Sequence, residues 1–261
     1  MHNITTEDLE KIRSYEGLLK KHAKKLNEID PNDEYWQMLS DDKSLVRDGK
    51  FIESNMVTSW IAAERKPKRI LEIGTRTGGS LIALLSVYNE QEYKEIEEIV
   101  SFDMWREYVS TTWFSTFVSG FSGKKSKFNL SFFAKVFGNL AERKSIGKVK
   151  RNLGVFNLKS DKITFVSGDS KVTVPEYFKE HPGKKFDYIL VDGGHDDHTA
   201  LCDLENVVNY ADKGGVILFD DIMPESYNLI GVWNKFKENH ADDFTFHELY
   251  HRKGIAWAVK K

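Results

Sequence analysis

Short apolar runs alternate with helix-like patterns along most of the chain, and most of these runs end at an acidic residue. The runs predicted to be buried strands are 69–72, 99–102, 163–166, 186–191 and 216–219. Short β-branched runs interleaved with helices are typical of a mostly parallel sheet covered on both faces. Two further runs, 244–249 and 255–259, follow each other across a short polar turn and predict a closing hairpin.

The N-terminal part of the chain has a different pattern. Residues 6–26 carry leucine and isoleucine at helical spacing among many lysines, which predicts a helix. A second helix is predicted near 52–64, where it leads into the first strand. We therefore divide the chain into an N-terminal helical segment, 1–50, and a main domain, 51–261.

A long insertion at 104–160 separates the second and third predicted strands, where one crossover helix would suffice. Its 120–160 part holds ten Lys or Arg residues against one acid, Glu142, with six phenylalanines among them. Insertions of this length are often functional lids. We predict a cap over a ligand site, and the alternative is a solvated surface excursion with a small aromatic core.

Composition narrows the class of protein. The chain has 261 residues, a net charge of −2 and one cysteine, Cys202. This balance predicts no general affinity for nucleic acid, and a single cysteine predicts a reducing compartment. No run approaches a membrane span, so we expect a soluble, cytoplasmic protein. Cys202 has no basic neighbour in sequence that would favour a thiolate, so we read it as structural.

The glycine-rich turn after the first strand carries the strongest chemical signal. It runs Glu72-Ile73-Gly74-Thr75-Arg76-Thr77-Gly78-Gly79-Ser80 and leads into an apolar helix. A dinucleotide-binding turn needs a second glycine where this chain has Arg76, so that the backbone can approach a pyrophosphate. Glu72 also adds a negative charge that a dinucleotide would not favour. A cationic nucleoside without phosphates fits this turn better.

The Glu-x-Gly-x-x-x-Gly spacing resembles motif I of the class I methyltransferases, which use S-adenosylmethionine (SAM). The resemblance covers roughly 70–222 and implies a Rossmann-like, doubly wound, seven-stranded, mostly parallel sheet with a C-terminal antiparallel hairpin. It also implies that Asp103 binds the ribose and that Asp169, with Ser170, binds the adenine. The positions that match the family's cofactor site are Glu72, Gly74, Thr75, Gly78, Gly79, Ser80, Asp103, Asp169, Ser170 and Asp192. Taken alone, each Asp could instead cap the helix that follows its strand.

A group of carboxylates follows the fourth and fifth predicted strands. If those strands are neighbours, Asp192, Asp220 and Asp221 converge, and carboxylates so close repel one another unless a cation intervenes. Mg²⁺ or a similar hard divalent cation prefers such oxygen ligands. The arrangement resembles the metal-dependent sugar O-methyltransferases of the macrocin and mycinamicin type, and the turn resembles the cephalosporin hydroxylase-like branch of the superfamily.

His195 lies three residues after Asp192, in a Gly-Gly-His-Asp-Asp-His loop. Imidazole suits base catalysis near neutral pH, so we predict His195 and Asp192 as the catalytic pair. In the alternative, Asp196 or Asp197 caps the next helix and His195 is an ordinary loop residue. Asp221 could likewise cap a helix opened by Pro224.

These patterns predict a SAM-dependent, divalent-metal-assisted O-methyltransferase that acts on a hydroxyl of a small molecule, anionic or sugar-like. Two other classes stay open at this stage. One is a metal-dependent hydroxylase-like enzyme on the same sheet. The other is a non-catalytic module whose basic, aromatic insertion docks RNA or a membrane surface. The sequence leaves a homo-oligomer open.

Overall fold

A seven-stranded sheet organises the structure, a computed structural model that describes residues 4–29, 54–105 and 145–261. The strand order is β3-β2-β1-β4-β5-β7-β6. The strands are β1 (Arg69–Ile73), β2 (Glu98–Asp103), β3 (Ile163–Ser167), β4 (Phe186–Val191), β5 (Ala211–Asp220), β6 (Phe244–Leu249) and β7 (Ile255–Lys260). Strands β1 to β5 pair in parallel, and β7 joins β5 and β6 in antiparallel register. This topology confirms the predicted Rossmann-like sheet and its closing hairpin.

Strand positions agree with the predicted runs within a few residues, except that β5 begins at Ala211 rather than at 216. Its pairing with β4 shifts register between Phe186 and Tyr188, where the partners jump from Ala211 to Val216. The polar residues 212–215 therefore form an irregularity inside the strand. Apolar patterning alone misses such an irregularity, because Asp212, Lys213 and Gly214 are not buried and do not alternate with buried residues.

Helices cover both faces of the sheet. In the described residues they are Thr6–Arg13, Glu16–Ile29, Ser54–Arg65, Gly79–Leu85, Glu90–Glu95, 145–155, Ser170–Glu180, Asp197–Val207 and Ile230–Asn239, with a 3₁₀ turn at Val208–Tyr210. Neighbouring β1 residues Ile70 and Leu71 are both buried, in separate apolar clusters. Side chains alternate across a strand, so each cluster fills one face of the sheet.

The N-terminal region forms two helices where one was predicted over 6–26. The first ends at Arg13, after a capping box made by Thr5 and Asp8 at its start. The hydroxyl of Ser14 donates to the carbonyl oxygen of Lys11 at 2.6 Å, and this local bond competes with continuation of the helix. Ile12 and Leu19, one from each helix, are buried in the same cluster as β1.

The described end of the predicted insertion belongs to the core. Val149 and Leu153 of helix 145–155 are fully buried in the cluster that contains Ile70. Residues 106–144, with most of the basic, phenylalanine-rich stretch, lie outside the described residues, and so does the link 30–53. The predicted cap and the boundary near residue 50 therefore stay predictions. No helix in the described ranges is long and apolar enough to cross a membrane.

Candidate active site

A crevice of about 410 Å³ opens beyond the carboxyl ends of the parallel strands. It lies at β1, which pairs with β2 on one side and with β4 on the other. The strand order reverses here, and ligands of open α/β sheets bind at such a switch point. Its wall holds the glycine turn at one end and the Asp192 loop and Asp221 at the other.

The glycine turn packs directly against the loop that follows β4. Gly74 has a φ of +93°, and a Cβ built there would lie 1.7 Å from the carbonyl oxygen of Asp192. Only glycine can combine this backbone conformation with this approach. Gly78 also has a positive φ, +87°, and precedes the helix Gly79–Leu85. The two predicted glycine positions are thus explained by backbone geometry.

Glu72 lies behind the turn and is buried. Its Oε1 accepts a hydrogen bond from the hydroxyl of Ser80, whereas its Oε2 is buried without a hydrogen-bond partner in the described residues. Burial raises the pKa of Glu72 to about 7. Thr75, in the turn, makes a hydrogen bond with the hydroxyl of Ser101 on β2. Ser80 and Thr75 line the crevice, whereas Glu72 supports it from beneath.

Asp103 ends β2 and lines the crevice, as predicted for a ribose ligand. Its carboxylate accepts hydrogen bonds from the backbone N–H groups of Arg76 and, at 2.6 Å, Met104. These bonds orient the carboxylate and link β2 to the glycine turn. A carboxylate has further lone pairs, so these contacts are compatible with binding a diol.

Asp169 does not end β3, which stops at Ser167. Asp169 is the N-cap of helix Ser170–Glu180, where its Oδ1 accepts from the N–H of Lys171 at 3.0 Å and contacts the Lys171 ammonium at 3.0 Å. The capping alternative is therefore realised at this position. Asp169 and Ser170 nevertheless line the crevice.

At the other end of the crevice, Asp192, His195 and Asp221 each offer a ligand atom within 4.8 Å of the others. His195 Nε2 lies 3.1 Å from Asp221 Oδ2 and 3.8 Å from Asp192 Oδ1. The carboxylates of Asp192 and then of Asp221 raise the pKa of His195 to about 9, because they stabilise its protonated form. Burial raises the pKa of Asp192. The two carboxylates therefore share the positive charge of protonated His195. When His195 is neutral, the two oxygens and one nitrogen form a donor set that suits a divalent cation.

The sequence predicts Asp220 as a member of this cluster, but its carboxylate makes different contacts in the structure. Its Oδ1 accepts from the hydroxyl of Ser54 at 2.5 Å and from the N–H of Asp221 at 2.9 Å. Asp221 has a positive φ of 63°, which breaks the strand and turns its side chain toward His195. The sequence predicted convergence of the adjacent pair, whereas in the structure His195 takes the place of Asp220.

The helix-capping alternative holds in the loop after β4 and does not hold in the loop after β5. Asp196 caps the helix Asp197–Val207 and accepts from the N–H of Thr199 at 3.0 Å. Asp221 caps no helix at Pro224, because residues 224–227 form turns and the next helix begins at Ile230. Asp221 instead accepts a hydrogen bond from the hydroxyl of Ser226 at 2.6 Å.

Sequence patterning missed two residues at this end. Tyr227 stacks on the imidazole of His195, with ring centroids 3.7 Å apart and planes at 3°, and is 53% exposed. Lys253, from the turn between β6 and β7, places its Nζ 3.7 Å from Asp221 Oδ1. The N–H of Met223 donates to the carbonyl oxygen of Lys253 at 2.7 Å and so attaches the hairpin turn to the site.

A class I methyltransferase fold and a crevice at its switch point define the class of protein. The model of a family described as a methyltransferase domain matches residues 71–222, more than half of the chain. The chain belongs to this family and is a methyltransferase, which confirms the class predicted from motif I. No curated protein matches the sequence.

Several solved structures share the fold. The methyltransferase PaMTH1 of Podospora anserina, bound to S-adenosylhomocysteine (SAH), has a TM-score of 0.55 at 16% identity, over 100% of this chain and 98% of that one. The O-methyltransferase TomG of Streptomyces achromogenes, in complex with SAM, has a TM-score of 0.53 at 18% identity, over 93% and 89%. An O-methyltransferase of Bacillus cereus, in complex with SAH, has a TM-score of 0.51 at 17% identity, over 80% of both chains. At these identities the likeness shows the fold.

Proposed function

We propose that the protein transfers the methyl group of SAM to a hydroxyl of a small molecule, assisted by a divalent cation. The observation that carries the proposal is one continuous crevice with the glycine turn and Asp103 at one end and the Asp192, His195 and Asp221 cluster at the other. Two structures of the same fold, TomG and the Bacillus cereus protein, are O-methyltransferases in complex with SAM and SAH. Family membership favours methyl transfer over the hydroxylase-like and binding-module alternatives.

The cofactor would lie over the glycine turn. SAM supplies a sulfonium methyl group that a nucleophilic oxygen can attack. Asp103 would accept the two ribose hydroxyls, and Asp169 with Ser170 would border the adenine. Glu72 has a buried oxygen without a partner in the described residues, and because its pKa is about 7, a cationic ligand over the turn would favour its ionised form.

The cation would be held by Asp192, His195 and Asp221, with Asp220 orienting the Asp221 backbone. When bound, it would lower the pKa of an acceptor hydroxyl and hold the acceptor in place. Asp221 is suited to this role because its side chain is only 3% exposed and is fixed by Ser226. Without a cation, the two neighbouring carboxylates would repel each other except for the charge that His195 supplies.

A second role for His195 is that of the general base, as predicted from the sequence. Because a pKa of about 9 keeps the imidazole protonated at neutral pH, this role requires that the ring first loses its proton, as it would beside a bound cation. The 3.1 Å contact with Asp221 favours the role of base, because a carboxylate beside imidazole stabilises the imidazolium formed on proton uptake. Tyr227 stacked on the ring holds its plane. The acceptor would lie between this pair and Lys253, whose ammonium favours an anionic or sugar-like molecule.

Calorimetry with SAM, SAH and NAD tests the cofactor. We expect SAM and SAH to bind and NAD to bind more weakly. Asp103→Ala should weaken SAM binding by about 1–3 kcal/mol, the scale of a charged hydrogen bond. Asp161→Ala, an exposed acid outside the crevice, is the matched control. Unchanged affinity in Asp103→Ala would remove the ribose assignment, and preference for NAD would overturn the proposed function.

Titration with Mn²⁺, followed by its electron paramagnetic resonance signal, tests the cation without knowledge of the acceptor. Wild type should bind Mn²⁺, and a chelator should abolish methyl transfer to a panel of vicinal diols until Mg²⁺ is restored. His195→Gln separates the two roles of the histidine. Loss of Mn²⁺ binding assigns a ligand, whereas retained binding with lost turnover assigns a base. Activity that survives exhaustive chelation contradicts the metal site.

A further inference from the structure

The glycine turn has a strained residue besides its glycines. Arg76 lies in the left-handed region with a φ of 49°, between Gly74 and Gly78, which also have positive φ values. A residue with a Cβ persists in this conformation only where its surroundings hold it there. The residues that hold the turn in place are therefore candidate residues of the cofactor site, even where they do not line the crevice.

Two side chains hold the carbonyl groups of this turn from behind. The amide Nδ2 of Asn152 donates to the carbonyl oxygen of Thr77 at 3.0 Å. The indole Nε1 of Trp105 donates to the carbonyl oxygen of Arg76 at 3.4 Å. Both donors are deeply buried, since Asn152 is 2% exposed and Trp105 is fully buried. If either side chain were replaced by an apolar one, the carbonyl group that it holds would lose this hydrogen bond.

Packing reinforces these hydrogen bonds. Val149 lies against Gly78, because a Cβ built on that glycine would be 3.0 Å from Val149 Cγ1. Val149 and Asn152 are three positions apart on helix 145–155, so they share one face of that helix. At the other end of this helix, Lys25 Nζ donates to the carbonyl oxygen of Val155 at 2.5 Å. The helix is thus fixed between the N-terminal helices and the turn.

We propose that Asn152 and Trp105 are positioning residues of the cofactor site, which hold the glycine turn in its ligand-binding conformation. In a trans peptide the C=O and the N–H point in opposite directions. Holding the Arg76 carbonyl toward Trp105 therefore directs the Thr77 N–H away from the indole, and Thr77 lies on the crevice wall. This inference rests on the proposed binding of SAM over the turn.

Calorimetry and steady-state kinetics of two variants test the proposal. Asn152→Leu removes the donor at similar volume, and Trp105→Phe removes the indole N–H but keeps a ring. We expect the Kd for SAM to rise about 10-fold in Asn152→Leu, as for a carbonyl left unpaired, and about 3-fold in Trp105→Phe. The KM for SAM should rise in parallel. The kcat at saturating SAM and the KM for whichever vicinal diol serves as acceptor should stay close to wild type. Arg151→Ala, an exposed neighbour on the same helix, is the matched control and should bind SAM like wild type.

A merely structural role would give a different result. It would lower the fraction of folded, active protein and the melting temperature, and leave the Kd and KM for SAM unchanged. That result in both variants would overturn the inference and leave the proposed function intact. If Asn152→Leu does not fold, Trp105→Phe alone decides, with a SAM affinity equal to wild type as the contradicting result. A wild type that binds no SAM would overturn the proposed function, and this inference with it.

Discussion

The two ends of the crevice are built in different ways. The end with the glycine turn is the one proposed to bind SAM, and we call it the cofactor end. It comes mainly from one continuous stretch, in which β1, the glycine turn and the helix Gly79–Leu85 follow each other directly. The other end is the one proposed to bind the acceptor, and we call it the acceptor end. It is assembled from three loops distant in sequence, which supply Asp192 and His195, Asp221 and Tyr227, and Lys253. A local motif thus fixes the first end, and tertiary contacts fix the second.

This difference has consequences for how changes at each end should act. At the cofactor end the site depends on backbone conformation and close packing, so adding even one methyl group should strongly destabilise the protein. At the acceptor end, side-chain charge is decisive, so substitutions should alter the binding of cations and acceptors while leaving the fold and the cofactor affinity intact. The following predictions test this division, from the largest expected effect to the smallest.

Gly74→Ala should have the largest effect. The added Cβ would lie 1.7 Å from the Asp192 carbonyl oxygen, at a φ of +93°. We expect a loss of more than about 4 kcal/mol of stability or no folded protein, measured by thermal denaturation and SAM calorimetry. Gly154→Ala is the control, because that helical glycine has no neighbour within 4 Å of its added Cβ. It should gain about 0.5–1 kcal/mol. A Gly74→Ala protein as stable as wild type would contradict the close packing of the two loops.

Asp221→Asn should have the second-largest effect, and it should affect only the acceptor end. Asn tolerates the left-handed backbone that Asp221 adopts, so the fold should persist. We expect Mn²⁺ affinity to fall at least about 100-fold, more than for loss of a residue that merely orients a ligand, with SAM affinity unchanged. Asp220→Asn keeps an oxygen acceptor for Ser54 and should bind Mn²⁺ nearly as wild type does. Equal losses in the two variants would restore the predicted three-carboxylate site.

Asp203 packs against the loop that follows β4, and its ionisation should make the free energy of unfolding depend on pH. It is fully buried, and a Cβ built on Gly193, in the loop after β4, would be 2.7 Å from its Oδ2. Burial raises the pKa of Asp203 from 3.8 to about 6. The folded protein therefore keeps this proton at pH values where the unfolded chain has lost it. Stability from this group is present below about pH 4 and is lost as the pH rises through about 6.

Asp203→Asn removes this titration and should raise the melting temperature at pH 8 more than at pH 4. The gain at the higher pH should correspond to about 2 kcal/mol, somewhat less than the full pKa shift implies, because a buried amide also has a desolvation cost. Asp197→Asn, an exposed residue on the same helix, should show no difference between the two pH values. The same change in melting temperature at both pH values would show that Asp203 does not titrate as proposed.

The same division explains what the sequence could predict. Glu72, Gly74 and Asp103 lie on a strand, its turn and the neighbouring strand end, so apolar runs and glycine spacing located them. Tyr227 and Lys253 are exposed loop residues, and nothing in their local pattern says that their loops meet. The sequence also could not separate Asp220 from Asp221, for a related reason. Spacing shows that two acids are adjacent, but only the left-handed backbone at Asp221 decides which one reaches His195.

Lys253→Met should have the smallest effect, and it tests whether the acceptor end selects by charge. The substitution removes the ammonium but keeps an apolar stem against the hairpin turn. The Lys253 side chain is 44% exposed, so solvent screens its charge and the affinity for 3,4-dihydroxybenzoate should fall no more than about 5-fold. Binding of catechol, which lacks the carboxylate, should be unchanged, and the difference should shrink at high salt. Arg252→Met makes the same change in net charge beside the crevice rather than in its wall. If both variants weaken the binding of 3,4-dihydroxybenzoate equally, the effect comes from the net charge of the protein. Lys253 then makes no specific contribution to acceptor selectivity.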